Sequence, residues 1–351
     1  MLPDLAKLAT ALMAATATGF VMERLGVPAG WLLGALVGAA GFRAVFGPPQ
    51  FTGKLRRFGQ LVVGAAVAGL LTPSVVETAG GQLPLLIGAA VALNLFCFLL
   101  SIPGARLAGV DRRTAALSCL PGGLSEMGSL AREVGADEQA VAVFHTIRVT
   151  VIVTTVPLLL TMAGFHEVEP FTGETPAIGN LWLLALLVVA SAPLAMLGTR
   201  IGVVNPWVVT PILLGIALVY LGREPGAMPI PVSIVAQILI GVALGARLDH
   251  RRMIALPRVF MAGVAISLIL LASTLLAGAL LLPMLASVPP GVGAISLAPG
   301  GLAELIAVSK AMDLMPTTVA AFGIVRSVLT NTVSAQLVSR IPPGRDPKPD
   351  G

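Results

Sequence analysis

Charged residues are scarce in this chain: they make up 11% of its 351 residues, whereas 56% are hydrophobic. A soluble domain carries about 25% charged residues. Several apolar runs, such as LWLLALLVVASAPLAML from Leu181, are long enough to cross about 30 Å of hydrocarbon. The composition therefore predicts a polytopic membrane protein. The N-terminal stretch lacks a clear basic region and cleavage site, so we interpret it as a first membrane helix and not as a removed signal.

Cysteine and histidine are also rare, with two and three copies. Cys97 and Cys119 both lie in apolar segments, which argues against a structural disulfide or a zinc site. His145, His166 and His250 are scattered between a predicted span, a linker and a loop, and no pair has ligand spacing. A copper or iron oxygenase needs clustered histidines and carboxylates. We therefore expect neither an enzyme nor a cofactor or metal.

The chain also lacks a Gly-x-x-x-x-Gly-Lys loop, so a gradient and not ATP would drive any transport. No stretch is long enough to form a soluble DNA-reading module, and we expect no nucleic-acid partner. The formal charge of +5 comes largely from basic residues in short loops between apolar spans. Such residues orient a protein in the membrane.

The two halves of the chain repeat each other at an offset of 177 or 178 residues. PGGLSEM at 121–127 pairs with PGGLAEL at 299–305, and VAVFHTIR at 141–148 pairs with VAAFGIVR at 319–326. One near-constant offset over such a length indicates a duplication. The predicted organisation is repeat 1 at 1–165, a polar linker at 166–177, repeat 2 at 178–340 and a cytoplasmic tail at 341–351.

Each half contains five predicted spans and one broken segment. The spans are 5–22, 28–47, 57–79, 84–109 and 139–164 in the first half, and 180–198, 206–222, 230–247, 257–283 and 317–338 in the second. The broken segments cover 113–135 and 291–314, and their arms of about 10 residues reach about halfway through the hydrocarbon. Each broken segment is therefore either a re-entrant hairpin or a discontinuous crossing helix.

Loop charge distinguishes these alternatives. The basic residues that follow the second and fourth spans mark cytoplasmic loops; they are Lys54, Arg56, Arg57, Arg106, Arg112 and Arg113. With hairpins, the second half is inverted and the basic cluster at 247–258 is also cytoplasmic. With crossing helices, the halves are parallel and that cluster falls outside, against the positive-inside rule. We predict an all-α fold of two inverted repeats, with the N-terminus inside and the linker outside.

The Pro-Gly-Gly breaks predict a binding site. Broken helices at membrane depth must face protein or a water-filled cavity, because backbone groups exposed to lipid are costly. Proline removes a donor, and glycines let the chain change direction. Two helix ends then meet near the midplane, where free N–H groups attract anions. Two interrupted segments in inverted repeats indicate the binding site of a secondary transporter.

Each break is followed by an acid, Glu126 or Glu304, one turn into the next arm. An intramembrane carboxylate is a candidate functional group, but a carboxylate in a first helical turn also acts as a cap. Arg148 and Arg326 each lie 22 residues later, and we expect each to pair with the glutamate of its own repeat, for binding or as a structural ion pair. The candidate solute site comprises Ser118, Pro121, Gly122, Gly123, Glu126, Arg148, Ser296, Pro299, Gly300, Gly301, Glu304 and Arg326.

Other polar and small residues in the spans have alternative interpretations. His145, one turn before Arg148, is either a pH-sensing group or a polar packing residue. Gln60 and Gln237 are expected to hydrogen-bond across helices. The small residues in VGAAVAG and IGVALGA predict close helix packing.

The paired PGGLSEM…FHTIR and PGGLAEL…FGIVR stretches resemble the membrane AbrB family, over roughly residues 10–340. Members of that family are often labelled regulators of gene expression or ammonia monooxygenases. The chain also resembles, more distantly, the cation/proton-antiporter and anion-transporter superfamily. That resemblance implies inverted repeats with interrupted helices, which in the superfamily cross the membrane.

We therefore expect a multi-pass protein of the bacterial inner membrane, a secondary transporter or exporter of a small solute. Helix N-termini and arginines favour an anionic or zwitterionic solute. The lipid bilayer and that solute are the expected partners, and a homodimer is the common oligomer for such a chain. The alternative is a membrane sensor that regulates gene expression indirectly, through a partner.

Overall fold

A computed structural model describes residues 4–49, 52–165, 180–286 and 288–342. The regular elements in these ranges are sixteen α-helices, which confirms the all-α prediction. The predicted linker and most of the predicted tail lie outside the described residues. The first half contains α1 (Asp4–Arg24), α2 (Gly30–Phe46), α3 (Thr52–Ala68), α4 (Pro73–Gly81), α5 (Leu83–Ala108), α6 (Arg112–Cys119), α7 (Leu124–Val134) and α8 (Glu138–Met162). The second half contains α9 (Leu181–Arg200), α10 (Pro206–Tyr220), α11 (Ile230–Gly245), α12 (His250–Ala255), α13 (Pro257–Ala286), α14 (Pro290–Leu297), α15 (Leu302–Ala311) and α16 (Pro316–Ser339).

Six of the described stretches are long and apolar enough to cross a membrane: α1, α5, α8, α9, α11 continued through α12, and α13. The chain is thus a multi-pass membrane protein, but with fewer full-length spans than the ten predicted. The predicted span 57–79 is bent by 98° between α3 and α4, and this pair would make a seventh span. The helices α2 and α10 are short, with 17 and 15 residues. Polar residues, among them Arg326 and Asn331, interrupt the apolar sequence of α16.

Aspartates begin several of the helices that surround the breaks. The side chain of Asp111 accepts hydrogen bonds from two N–H groups at the start of α6, and that of Asp137 does the same at the start of α8. Asp249 caps α12 in the same way. A carboxylate at this position satisfies N–H groups that have no partner within the helix. The aspartate caps therefore fix the residues at which these three helices begin.

Equivalent helices of the two halves make equivalent contacts. α2 packs against α11, and its counterpart α10 packs against α3. Glycine allows both approaches: a Cβ on Gly241 would lie 2.5 Å from the carbonyl oxygen of Leu32, and a Cβ on Gly64 would lie 2.5 Å from that of Val208. These glycines belong to IGVALGA and VGAAVAG, so the predicted close packing is confirmed. The duplication in the sequence is a duplication of packing as well.

Equivalent helices that touch each other run in opposite directions. Gln82, at the start of α5, donates a hydrogen bond of 3.5 Å to the carbonyl of Ala286 at the end of α13. At the other end of the pair, Gly109 lies against the side chain of Arg258. This antiparallel pairing is the relation that inverted repeats require. The orientation of the halves in the membrane stays a prediction.

The first broken segment is a hairpin. Arg113, at the start of α6, donates a hydrogen bond of 2.7 Å to the carbonyl of Val134 at the end of α7. The N–H of Asp137 donates one of 2.9 Å to the hydroxyl of Thr114. Two arms that crossed the membrane in line would hold these ends more than about 25 Å apart, at 1.5 Å per residue. This segment therefore forms a hairpin and not the crossing helix implied by the superfamily resemblance; that the hairpin enters the membrane stays a prediction.

Candidate functional site at the two helix breaks

The two breaks have the same backbone conformation. α6 ends at Cys119 and α7 begins at Leu124, while α14 ends at Leu297 and α15 begins at Leu302. The residue before each second arm is a glycine with extended backbone: Gly123 has φ −73° and ψ 146°, and Gly301 has φ −70° and ψ 144°. Any residue tolerates these angles. The predicted breaks are confirmed, but the conformational freedom of glycine does not explain why glycine stands there.

A glutamate side chain lies over each of these glycines. A Cβ built on Gly123 would collide with Oε2 of Glu126, and one on Gly301 would collide with Oε2 of Glu304. Each carboxylate thus folds back over the first turn of its own arm, which is the position of a capping acid. The glycines leave the space that the carboxylates occupy. An alanine there would push the carboxylate away from the helix end.

The two arginines bind the other side of each break. Arg148 donates from Nη1 to the carbonyls of Ser118, Cys119 and Leu120, at 3.1, 3.1 and 2.8 Å. Its Nη2 lies 3.4 Å from the carbonyl oxygen of Gly122.

Arg326 repeats this arrangement in the second half, with Nη1 bound to the carbonyl of Ala298 and Nη2 at 2.8 Å from that of Gly300. Leu120 and Ala298 are equivalent in the repeat, as are Gly122 and Gly300. Both guanidinium groups are almost fully buried, with Arg148 1% and Arg326 3% exposed. The duplication therefore extends to individual hydrogen bonds.

These contacts correct the predicted ion pairs. The last carbonyls of α6 and α14 have no partner within their helices and carry the negative end of the helix dipole, which attracts a cation. Arg326 binds the carbonyls of Ala298 and Gly300, just beyond the end of α14, and not Glu304, so the predicted pair of these two residues is wrong. Arg148 uses the same kind of acceptors. In each break an arginine neutralises the end of the first arm while a glutamate faces the start of the second.

Glu304 has its ion-pair partner in the opposite half of the chain. Its Oε1 accepts a hydrogen bond from Nη2 of Arg56 at 3.2 Å, and the glutamate is 2% exposed. Arg247, just beyond the end of α11, interacts electrostatically with both Glu304 and Glu126. Glu126 is half-buried. The acids of both breaks thus share one basic neighbour, and the site joins the two halves.

Sequence reasoning treated Arg56 and Arg247 only as orientation signals in loops. Both were visible as basic residues next to a span, and Arg56 lies inside α3, one turn from its start. Their role could not be predicted because it depends on α15 packing against α3 and α11. The sequence signal for this role would have been a basic residue that lies within one turn of the end of a span and near a predicted break in another segment.

His145 uses both ring nitrogens inside the protein. Nδ1 lies 2.8 Å from Nη2 of Arg148, and Nε2 lies 2.9 Å from the carbonyl oxygen of Leu117. A guanidinium can only donate, so Nδ1 accepts and the proton is on Nε2, which donates to the carbonyl. This arrangement supports the packing interpretation of His145. In the second half a side chain at Gly323 would meet Leu302, which fills that space.

The remaining predicted site residues lie at the breaks. Pro121 and Pro299 are buried, and Gly122 and Gly300 contribute carbonyls to the arginines. Ser118 contributes its carbonyl, whereas the hydroxyl of Ser296 is buried and makes no hydrogen bond within the described part of the chain. The structure therefore brings the twelve predicted residues together as two equivalent groups, one at each break.

This chain belongs to the AbrB family, described as transition state regulatory protein AbrB, whose model matches residues 39–341. The family predicted from the paired Pro-Gly-Gly motifs is thereby confirmed. The chain is also similar to the uncharacterized protein YhjN of Bacillus subtilis (strain 168). The two are 25% identical over 342 residues, which cover 89% of this chain and 87% of that protein.

Proposed function

We propose that this member of the AbrB family is a secondary transporter of a small anionic solute in the bacterial inner membrane. The observation that carries the proposal is the pair of equivalent helix breaks, each with a buried arginine at one helix end and a glutamate at the other. Backbone interrupted at membrane depth is retained where it faces protein or a cavity. In secondary transporters such breaks form the substrate site.

Charge at the breaks favours an anion. Arg148 and Arg326 are occupied by helix carbonyls, whereas Arg56 and Arg247 are half-buried and face the two glutamates. An anionic group that approached the breaks would meet both of these arginines, and the N–H groups at the start of α7 or α15 once the glutamate there is protonated and moves away. Protonation of a glutamate in exchange for the solute would couple binding to a proton gradient.

The proposal includes inverted halves. Antiparallel pairing of α5 with α13, and of α3 with α11, supports it. In the second pair, Gly59 lies against Ile240 in the middle of both helices, and Gly69, just after α3, lies against Gly226, just before α11. Inverted halves around one site allow alternating access by rocking one half against the other.

Transport by the purified protein in liposomes tests the proposal. The probes are radiolabelled small carboxylates, amino acids and inorganic phosphate, each offered under an imposed proton or sodium gradient. We expect gradient-driven accumulation of at least one anion, and its loss in the Gly300→Ala/Gly301→Ala variant. Gly128→Ala is the matched control, because a Cβ there would make only ordinary contacts. If folded wild-type protein accumulates no probe under either gradient, the transporter proposal is wrong and the sensor interpretation becomes the better one.

A further inference from the structure

The ion pair between Arg56 and Glu304 is open on one side and closed on the other. The side chain of Arg56 is 25% exposed, whereas that of Glu304 is 3% exposed. Arg56 lies one turn from the start of α3, and Glu304 lies in the first turn of α15. A molecule that arrives from the polar end of α3 therefore meets the guanidinium group before it meets the carboxylate.

The pair is also incompletely bonded. Nη2 of Arg56 donates to Oε1 of Glu304 at 3.2 Å, whereas a strong charge-assisted bond measures about 2.7–2.9 Å. Oε2 of Glu304 is buried and makes no hydrogen bond of normal geometry with a described residue. A guanidinium group can hold a carboxylate through two parallel hydrogen bonds. A carboxylate from solution can therefore bind Arg56 more completely than Glu304 does.

Two arginines of other helices face Glu304. Arg56 on α3 and Arg247, just beyond the end of α11, both interact with it electrostatically. Arg247 also interacts with Glu126, so it keeps an acidic neighbour when Glu304 is neutral. Arg57, the next residue of α3, lies over an aromatic ring of α10, 5.2 Å from the ring centroid. Arg56 is therefore the cation that loses its ion-pair partner when Glu304 loses its charge.

The buried charged groups on the other helices around α15 are bound at the breaks. These helices are α8, α14 and α16. Arg148 on α8 and Arg326 on α16 donate to backbone carbonyls, and His145 accepts a hydrogen bond from Arg148. α14 contains no charged residue. An anion that takes the place of Glu304 is therefore held by Arg56.

We propose, on the basis of the function proposed above, that Arg56 binds the carboxylate of the solute in place of Glu304, and that the solutes are small monocarboxylates. Glu304 takes up one proton and leaves the pair as a neutral acid, and the solute carboxylate enters on the open side of Arg56. No bond within the solute is made or broken. The solute contributes one carboxylate, because Arg247 keeps Glu126 as its neighbour.

Charge balance determines how the solute and the proton are coupled. Without solute, the cation of Arg56 and the anion of Glu304 sum to zero. With solute, the cation of Arg56, the solute carboxylate and the neutral Glu304 also sum to zero. The solute and one proton are bound in the same state, so they cross the membrane in the same direction. Since this exchange moves no net charge, a membrane potential does not drive it.

Acetate binding to a variant without the competing acid tests the site. Glu304→Ala removes the carboxylate and leaves its space beside Arg56. We expect the purified full-length variant to bind acetate near neutral pH at least about tenfold more tightly than the wild type does, because a tethered carboxylate competes at a high effective concentration. Titration calorimetry measures both affinities, and acetamide, which lacks the charge, should not bind. Equal acetate affinity of the two proteins, or equal binding of acetamide, would overturn the assignment.

Further variants locate the acetate. Arg56→Gln combined with Glu304→Ala should lose the binding, and acetate that still binds to this double variant would reject Arg56. Glu138→Ala is the matched control, because it opens the exposed pair with Arg132, at 3.6 Å, and should create no acetate site. Thermal unfolding checks each protein. If Glu304→Ala does not fold, Glu304→Gln, which has the same shape without the charge, replaces it with the same expectation.

Proton uptake tests the coupling. Acetate should bind the wild type more tightly as the pH falls and should take up about one proton per acetate in weakly buffered solution, because a group protonated only in the bound state links binding to pH. In Glu304→Gln the affinity should not depend on pH and no proton should be taken up. Wild-type protein that binds no acetate at mildly acidic pH, or binds it without proton uptake, would contradict the exchange. If Glu126→Gln abolishes the uptake and Glu304→Gln does not, the wrong acid has been assigned.

Uptake into liposomes separates this inference from the transporter proposal. A pH gradient should drive the uptake of an anion, and a membrane potential set with potassium and valinomycin should leave the uptake unchanged. Uptake driven by the potential would keep the transporter proposal and reject the coupling. Acetate binding that depends on Arg56 and takes up a proton, without accumulation of any anion, would keep the site and contradict the transporter proposal.

Discussion

The two Pro-Gly-Gly motifs have nearly the same sequence but different surroundings. Within each break the arginine and the glycine-facing glutamate are arranged alike. Outside the breaks, α15 contacts α14, α16 and α8 as α7 contacts α6, α8 and α16, but α15 also packs against α3 and α11. Glu304 is consequently 2% exposed and paired with Arg56, while Glu126 is half-buried. The arrangement within the motif is thus duplicated, whereas the contacts with α3 and α11 belong to the second motif.

Part of this difference is already present in the sequence. The residue equivalent to Arg56 in the second half is Ser233, and the residue equivalent to Arg247 in the first half is Leu70. Rocking one half against the other would therefore not give Glu126 an arginine in the place that Arg56 has beside Glu304. The two acids consequently have unequal roles, and Glu304 is the one whose release from an ion pair would cost more.

The largest expected effect concerns what the two breaks share. Arg326→Gln should destabilise the protein by about 1–3 kcal/mol for each buried carbonyl at the break that loses its donor, and Arg148→Gln should do the same. Thermal unfolding and size-exclusion chromatography in detergent measure the loss. Exposed Arg132→Gln is the control, with an expected change within about 0.5 kcal/mol. Wild-type stability in either buried variant would show that the carbonyls do not need the guanidinium group.

The next prediction concerns the acids, where the two halves should differ. Glu304→Gln should cost about 1–3 kcal/mol, because it weakens a buried charge-assisted bond to Arg56, and Glu126→Gln should cost less. Unfolding of the two variants under the same conditions measures the difference. Equal losses would show that the unequal burial of the two acids has no energetic consequence.

A double-mutant cycle identifies the partner of Glu304. The effects of Glu304→Gln and Arg56→Gln should be non-additive by about 0.5 kcal/mol or more, as expected for residues in contact. The effects of Glu304→Gln and Arg326→Leu should be close to additive, because no direct bond between these two side chains is described. The reverse pattern would restore the ion pair that the sequence predicted within the repeat.

Much of the fold could be predicted from the sequence, because the sequence features that specify it act locally. The Pro-Gly-Gly motifs specify breaks wherever they lie, so the breaks at 120–123 and 298–301 appear within the predicted segments. The partners of the charges could not be predicted, since Arg326 binds carbonyls in the break after α14 and Glu304 binds a side chain on α3. The choice of partner depends on packing between helices far apart in the chain. An arginine near a helix end can bind either a carboxylate or the helix-end carbonyls, and the sequence alone does not rank these two acceptors.

A smaller effect is expected for the glycines that face the carboxylates. Gly123→Ala and Gly301→Ala should each change stability by about 1 kcal/mol or less, because the colliding atoms belong to a flexible side chain and alanine tolerates the extended backbone there. Transport should nevertheless fall, because the carboxylate must leave its place over the helix end. Gly128→Ala, inside α7, should leave transport unchanged and raise stability by at most about 1 kcal/mol, as its Cβ has room. Unchanged transport in Gly301→Ala would mean that the position of the Glu304 carboxylate is irrelevant to function.

The last prediction involves no change in stability and concerns how the two halves are oriented. Inverted halves place the loop at Arg223, and the linker at Glu169, outside, and place Arg252 inside with the other basic loops. In whole cells, single cysteines at Arg223 and Glu169 should react with an impermeant thiol reagent, and a cysteine at Arg252 should react only after the membrane is opened. The native Cys97 and Cys119 are buried, which keeps the background low. The helices α5 and α13 are antiparallel. Labelling of Arg252→Cys from outside would therefore require the whole positive-inside assignment to be reversed. The side from which the first hairpin enters the membrane would then be reversed as well.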